Sequence, residues 1–165
     1  MAKPYQNATA ICTVLTIVAF LGIVFGILQS NPLITIIFLF PTVIYEVYRT
    51  EGRSTKWASW GLLAVLIAEI FLIVANISFD LAKFLDTSKE TIGGYTVPLG
   101  DIKVVGPAVM AALSFILFTN TRGRYTKWLA IIIFITSFVI VYTLDPMIFK
   151  ELLQLGIKEG LKQIQ

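Results

Sequence analysis

Residues 8–28 read ATAICTVLTIVAFLGIVFGIL. The run holds no charged residue and no proline. As an α-helix it would be about 31 Å long, which matches a bilayer hydrocarbon core of about 30 Å. It is too long for the apolar region of a signal peptide, and no small-residue cleavage site follows it, so it is expected to remain as a membrane span. The rest of the chain agrees. Of 165 residues, 57% are hydrophobic and 14% charged, with a mean hydropathy of +0.84. Soluble domains run near half apolar and a quarter charged.

Four further segments approach spanning length: 32–48, 57–79, 102–118 and 128–144. The fourth span is the weakest, because Lys103 and Pro107 trim its start. The reading is an all-α polytopic membrane bundle of five transmembrane helices forming one domain. Between the first two spans, Asn31 is a good N-cap and Pro32 a good first helical residue, so the two form a hairpin with almost no loop. The longest polar stretch, 80–101, carries Gly93, Gly94, Pro98 and Gly100, and a short β-hairpin is placed around YTVPLGDIKV at 95–104. After the fifth span, Asp145 and Pro146 open another helix. Over 147–165, Phe149, Leu153, Ile157, Leu161 and Ile164 share one face. That amphipathic tail suits either the membrane interface or a seat on the protein's own loops.

One octamer is written twice, TEGRSTKW at 50–57 and TRGRYTKW at 121–128. Both copies fall between spans on the N-terminal side of the membrane. Gly52 and Gly123 permit a tight reversal, and Thr55 and Thr126 are candidate caps for the helices that follow. Lys56 and Lys127 can snorkel to the headgroups, and Trp57, Trp60 and Trp128 suit the aromatic belt. The repeat suggests a duplicated helical hairpin, 32–79 and 102–144, in parallel orientation rather than the inverted arrangement of many secondary transporters. Convergence on a common turn chemistry is the competing explanation. All the arginines lie on this side, and seven of the 13 basic residues are there. Their packing against helix ends places the N-terminus in the cytoplasm and the C-terminus opposite. Arg49, Arg53, Lys56, Arg122, Arg124 and Lys127 serve as orientation anchors, with anionic lipid headgroups or an acidic partner as a second use.

Glu69 lies midway along the third span, where a charge is costly. Gly61, Ala64, Ala68 and Ala75 form a stripe of small residues suited to close helix packing. Glu69 and Asn76, seven residues apart, are expected on one helix face beside it. No Lys or Arg lies at matching depth by this reading, so Thr136 and Ser137 in the fifth span are the candidate hydrogen-bond partners. Three roles compete for Glu69: a protonated contact between helices or toward another subunit, a proton or cation site in a transport path, or a ligand to a bound lipid or pigment. Gly22 and Gly26 make a weak G-x-x-x-G packing pair, and a Glu46–Arg49 pair at i, i+3 accounts for Glu46.

The chain contains no His and a single Cys, Cys12. It carries no P-loop, no G-x-S-x-G and no paired intramembrane carboxylates. Catalysis needs convergent titratable groups, so no enzyme is expected. No cofactor, metal site or nucleic-acid partner is implied. The expected function is that of a non-catalytic integral membrane protein, a structural or accessory subunit of a larger membrane assembly or a homo-oligomer. The alternative is a proton- or cation-conducting carrier or channel using Glu69.

Overall fold

A computed structural model describes residues 7–77, 89–92, 95–98, 102–150 and 153–154. Five helices are long and apolar enough to cross a membrane: α1 (Ala8–Leu28), α2 (Pro32–Arg49), α3 (Arg53–Val74), α4 (Ile102–Asn120) and α5 (Arg124–Leu144). The protein is a multi-pass all-α membrane bundle.

The helix ends follow local chemistry. Asn31 accepts a hydrogen bond from Leu33 N at 3.1 Å, with Pro32 in the first turn. That cap satisfies an amide which α2 itself cannot. α1 and α3 each stop in a Schellman motif with a left-handed residue, Ser30 at φ 49° and Asn76 at φ 48°. The paired bonds are Asn31 N to Gly26 O and Ser30 N to Ile27 O after α1, and Ile77 N to Leu72 O and Asn76 N to Ile73 O after α3. α3 therefore ends five residues before the expected Phe79. It also starts earlier than Trp57, as α5 starts earlier than Trp128. α4 starts at the expected Ile102, with Pro107 inside it.

A two-stranded antiparallel hairpin precedes α4, with β1 at Lys89–Ile92 and β2 at Tyr95–Pro98, and Ile92 pairs with Tyr95. The hairpin lies upstream of the predicted place: YTVP is its second strand, and Ile102 to Val104 belong to α4. Gly93, Gly94 and Gly100 lie outside the described residues. So does the tail beyond 150, apart from 153–154. A helix follows α5 at 146–150, capped by Asp145 Oδ1, which accepts from Met147 N at 2.9 Å and Ile148 N at 3.2 Å. Phe149 returns onto Tyr142 edge to face, at 5.4 Å between centroids, so this part of the tail packs on α5.

α2, α3, α4 and α5 pack in cyclic order, and α1 docks outside the seam between α2 and α5. The main core lies among the four, built from Ile36, Leu39, Val43, Leu62, Leu66, Met110, Leu117 and Ile133. A smaller cluster of Cys12, Leu15 and Leu129, flanked by Tyr45, Tyr125 and Trp128, joins α1 to the rest. α1 buries Ala8, Cys12, Leu15, Ala19, Gly22 and Gly26, a run at three- and four-residue steps. Gly22 and Gly26 face α2 without room for a Cβ, which would meet Phe38 and Thr35. Thr35 Oγ1 donates to Gly22 O at 3.2 Å across that contact. Such close approach provides dispersion contacts where lipid offers no hydrophobic drive to associate.

Candidate functional site

Two carboxylates are buried in the bundle, Glu69 and Glu46. α3 turns Thr55, Ser59, Leu62, Leu66 and Glu69 inward, all at three- or four-residue steps. The Glu69 carboxylate lies directly over Gly106 of α4, where a Cβ would collide with Oε2. Because α3 stops at Val74, Glu69 is not midway along its helix. It sits five residues, about 7.5 Å of axial rise, from the helix end opposite the basic turns.

That placement revises the neighbours expected for Glu69. Asn76 is past the end of α3 in a left-handed conformation and is exposed, so it does not share a helix face with Glu69. Its Oδ1 accepts instead from Lys103 Nζ at 3.4 Å. Lys103 lies one turn before Gly106 on α4, so a basic residue does stand at nearly the depth of the acid. Thr136 and Ser137 are buried, but each hydroxyl donates to its own helix, to Ile132 O at 2.7 Å and Ile133 O at 2.8 Å. They do not donate to Glu69. Of the small-residue stripe, Gly61 packs toward Leu113, while Ala64, Ala68 and Ala75 face outward.

Glu46 lies at the α2–α3 interface. It has no exposure. Thr50 Oγ1, at the C-cap of α2, donates to Glu46 Oε1, and Ser59 Oγ of α3 donates to the same oxygen at 3.0 Å. Ser59 also has Thr55 O within 3.1 Å, so its one proton serves two acceptors. The pairing with Arg49 is replaced by these hydroxyls, and the Arg49 guanidinium lies 4.9 Å from the Tyr125 ring centroid. The signal was present in the sequence as Thr at i+4 from Glu46, but the Ser59 contact crosses two helices. Among the described residues, Glu46 Oε2, Thr42 Oγ1 and Thr121 Oγ1 are buried without a hydrogen-bond partner.

The two basic turns share one backbone plan. Thr50 N bonds to Glu46 O and Thr121 N to Leu117 O, while Lys56 N bonds to Gly52 O and Lys127 N to Gly123 O. Thr55 and Thr126 are not N-caps. Each lies inside its helix and donates back, to Gly52 O at 3.2 Å and Gly123 O at 2.8 Å. A Cβ at either glycine would press on that threonine hydroxyl. Only Gly52, at φ 115°, needs the left-handed freedom of glycine; Gly123 is extended at φ −73°.

The tryptophans diverge. Trp57 is 78% exposed and Trp60 53%. Trp128 turns inward, and its Nε1 donates to Thr16 Oγ1 at 3.1 Å. With the 2.7 Å bond between Thr9 Oγ1 and Tyr125 OH, it fastens α1 to α5. Lys56, Arg49, Arg122, Arg124 and Lys127 line the turns, with Lys127 Nζ 5.4 Å from the Phe118 ring centroid. The side chain of Arg53 lies outside the described residues.

Among the described residues, no group of three or more His, Cys, Asp or Glu could hold a metal ion. Comparison with protein-family models, curated proteins and solved structures finds no match. The two acids belong to different interfaces, Glu46 to α2–α3 and Glu69 to α3–α4.

Proposed function

We propose that this protein is a non-catalytic integral membrane subunit or scaffold that works by packing against other membrane components. The observation that carries this reading is the dispersal of its buried polar groups. The two acids lie in different helix interfaces, Glu46 against Thr50 and Ser59 and Glu69 against Gly106, and catalysis needs groups that converge. The outward faces support it too. Ala64 and Ala68 form a small-x-x-x-small pair on the exposed side of α3, a pattern suited to close approach of another helix. Purification in a gentle detergent should give a species heavier than the 18.3 kDa chain, with stoichiometric partners or further copies. A clean monomer with neither counts against it.

A second reading is a proton- or cation-conducting carrier. It is favoured by one observation, the buried Glu69 carboxylate with Lys103 one turn away on the facing helix. Glu69→Gln in liposomes should then abolish flux, and unchanged flux would exclude it.

We further propose that the bundle arose from a duplicated hairpin, α2–α3 and α4–α5. The support is register. Positions 36, 39, 43, 46, 50, 55, 59, 62, 66 and 69 are buried, and so is every position 71 residues later, from 107 through 140. One offset without a gap covers two helices and the turn between them. Convergent turns alone would not keep the helix faces aligned. The contacts α2–α3 and α3–α4 have counterparts in α4–α5 and α5–α2, as two parallel copies around one axis require. The basic turns are assigned to the cytoplasmic side, with the N-terminus.

A further inference from the structure

The outer face of the second hairpin carries an aromatic groove. One cavity, of about 230 Å³, lies between α4 and α5, lined by Phe115, Phe118, Ile131 and Phe134. A second, of about 540 Å³, adjoins it at Phe134 and continues past Phe138 and Tyr142 to Phe149. Both are apolar, since the Ser114 hydroxyl at the first is turned to Ala111 O at 2.8 Å. Phe134 bridges them, 6.5 Å from Phe115 and 4.9 Å from Phe138 between centroids. The positions 71 residues earlier than Phe115, Phe118, Phe134 and Phe138 are Ile44, Val47, Leu63 and Ile67, all aliphatic.

At one end of this groove stands the second basic turn. Lys127 reaches over Phe118, itself part of the groove wall, and Arg122 and Arg124 are exposed beside it. The run from Lys127 to Tyr142 along α5 is about 22 Å, within a hydrocarbon core of about 30 Å. A channel of that length, greasy throughout and positive at one mouth, complements a molecule with a long hydrocarbon chain and an anionic head. We propose that this groove binds one anionic phospholipid, its phosphate against Arg122, Arg124 and Lys127 and one acyl chain laid along Phe118, Phe134 and Phe138. The proposal rests on the membrane-spanning fold and stands whether or not the protein is a subunit of an assembly. Charge complementarity selects the headgroup, and the aromatic walls select an extended chain over the body of another helix.

The test uses the full chain in nanodiscs of equal phosphatidylglycerol and phosphatidylcholine, followed by native mass spectrometry. One phosphatidylglycerol should remain bound, favoured over phosphatidylcholine by about tenfold. Arg124→Gln with Lys127→Gln should bring that ratio close to one. The matched pair in the first turn, Arg53→Gln with Lys56→Gln, should leave it unchanged. On the wild-type protein alone, inorganic phosphate and dihexanoyl phosphatidylglycerol should fail to displace the long-chain lipid. Equal retention of both lipids overturns the proposal. So does an equal loss in both pairs, which would reduce the effect to general surface charge. Displacement by phosphate or the short-chain lipid would remove the groove from it.

Discussion

Glu69 occupies the space that a side chain would take at Gly106. The helix pair α3–α4 closes only because one partner has no Cβ where the other carries a carboxylate. Gly106→Ala should therefore destabilise the protein by about 1–3 kcal/mol through overpacking. Adding Glu69→Ala should recover part of that loss, because residues in contact are coupled. Thermal unfolding of both single variants and the double variant in one detergent measures the coupling. Additive losses would show that the contact is not made.

Glu46 is buried with two hydroxyls, and the positions 71 residues after Glu46 and Ser59 are Leu117 and Ala130, both buried. The second hairpin thus builds the same place from apolar groups. Replacing a buried charge and its partners by apolar residues of similar size is often neutral or stabilising. Glu46→Leu with Ser59→Ala should unfold within about 1 kcal/mol of wild type or above it. Ser59→Ala alone should cost about 1 kcal/mol or more, because it leaves the carboxylate with one donor fewer. A collapse of the double variant would mean that Glu46 has a partner the hydroxyls do not account for.

The two octamer tryptophans should respond differently. Trp128→Phe removes the indole bond to Thr16 and should cost about 1 kcal/mol, whereas Trp57→Phe, on an open face, should change stability by less than about 0.5 kcal/mol. Denaturation monitored by far-UV circular dichroism separates the two. Equal effects would contradict the inward turn of Trp128.

Gly26 has no room for a side chain against Thr35. Gly26→Leu should push α1 away from α2 and, with the loss of the Thr35 contacts, lower stability by at least about 2 kcal/mol. Protease access at the α1–α2 turn should rise with it. Full protection in the variant would place α1 elsewhere.

Glu51 and Arg122 are exposed at equivalent points of the two basic turns, and Cys12 is buried. Glu51→Cys and Arg122→Cys should both react with a membrane-impermeant maleimide from the cytoplasmic side only, over an unlabelled wild-type background. Labelling of one turn from each side would sink the proposed threading.

The sequence by itself determined the number of spans, the short turns between them and the presence of an acid within the third. Those features need only length, apolar content and turn chemistry, and each is read along the chain. It did not determine how the helices rotate. In water the buried face of a helix is written as an apolar stripe against polar residues. In a bilayer both inside and outside are apolar, so α3 carries no such stripe, and the small residues Ala64 and Ala68 face out rather than in. Rotation was decided by close packing: a glycine at 106 opposite a glutamate at 69, and glycines at 22 and 26 opposite Phe38 and Thr35. The partners of the acids were likewise tertiary. Where α3 ends was set by a left-handed Asn76, and that placed Lys103 beside the level of Glu69. Ser59 reaches Glu46 only because the basic turn folds α3 back along α2.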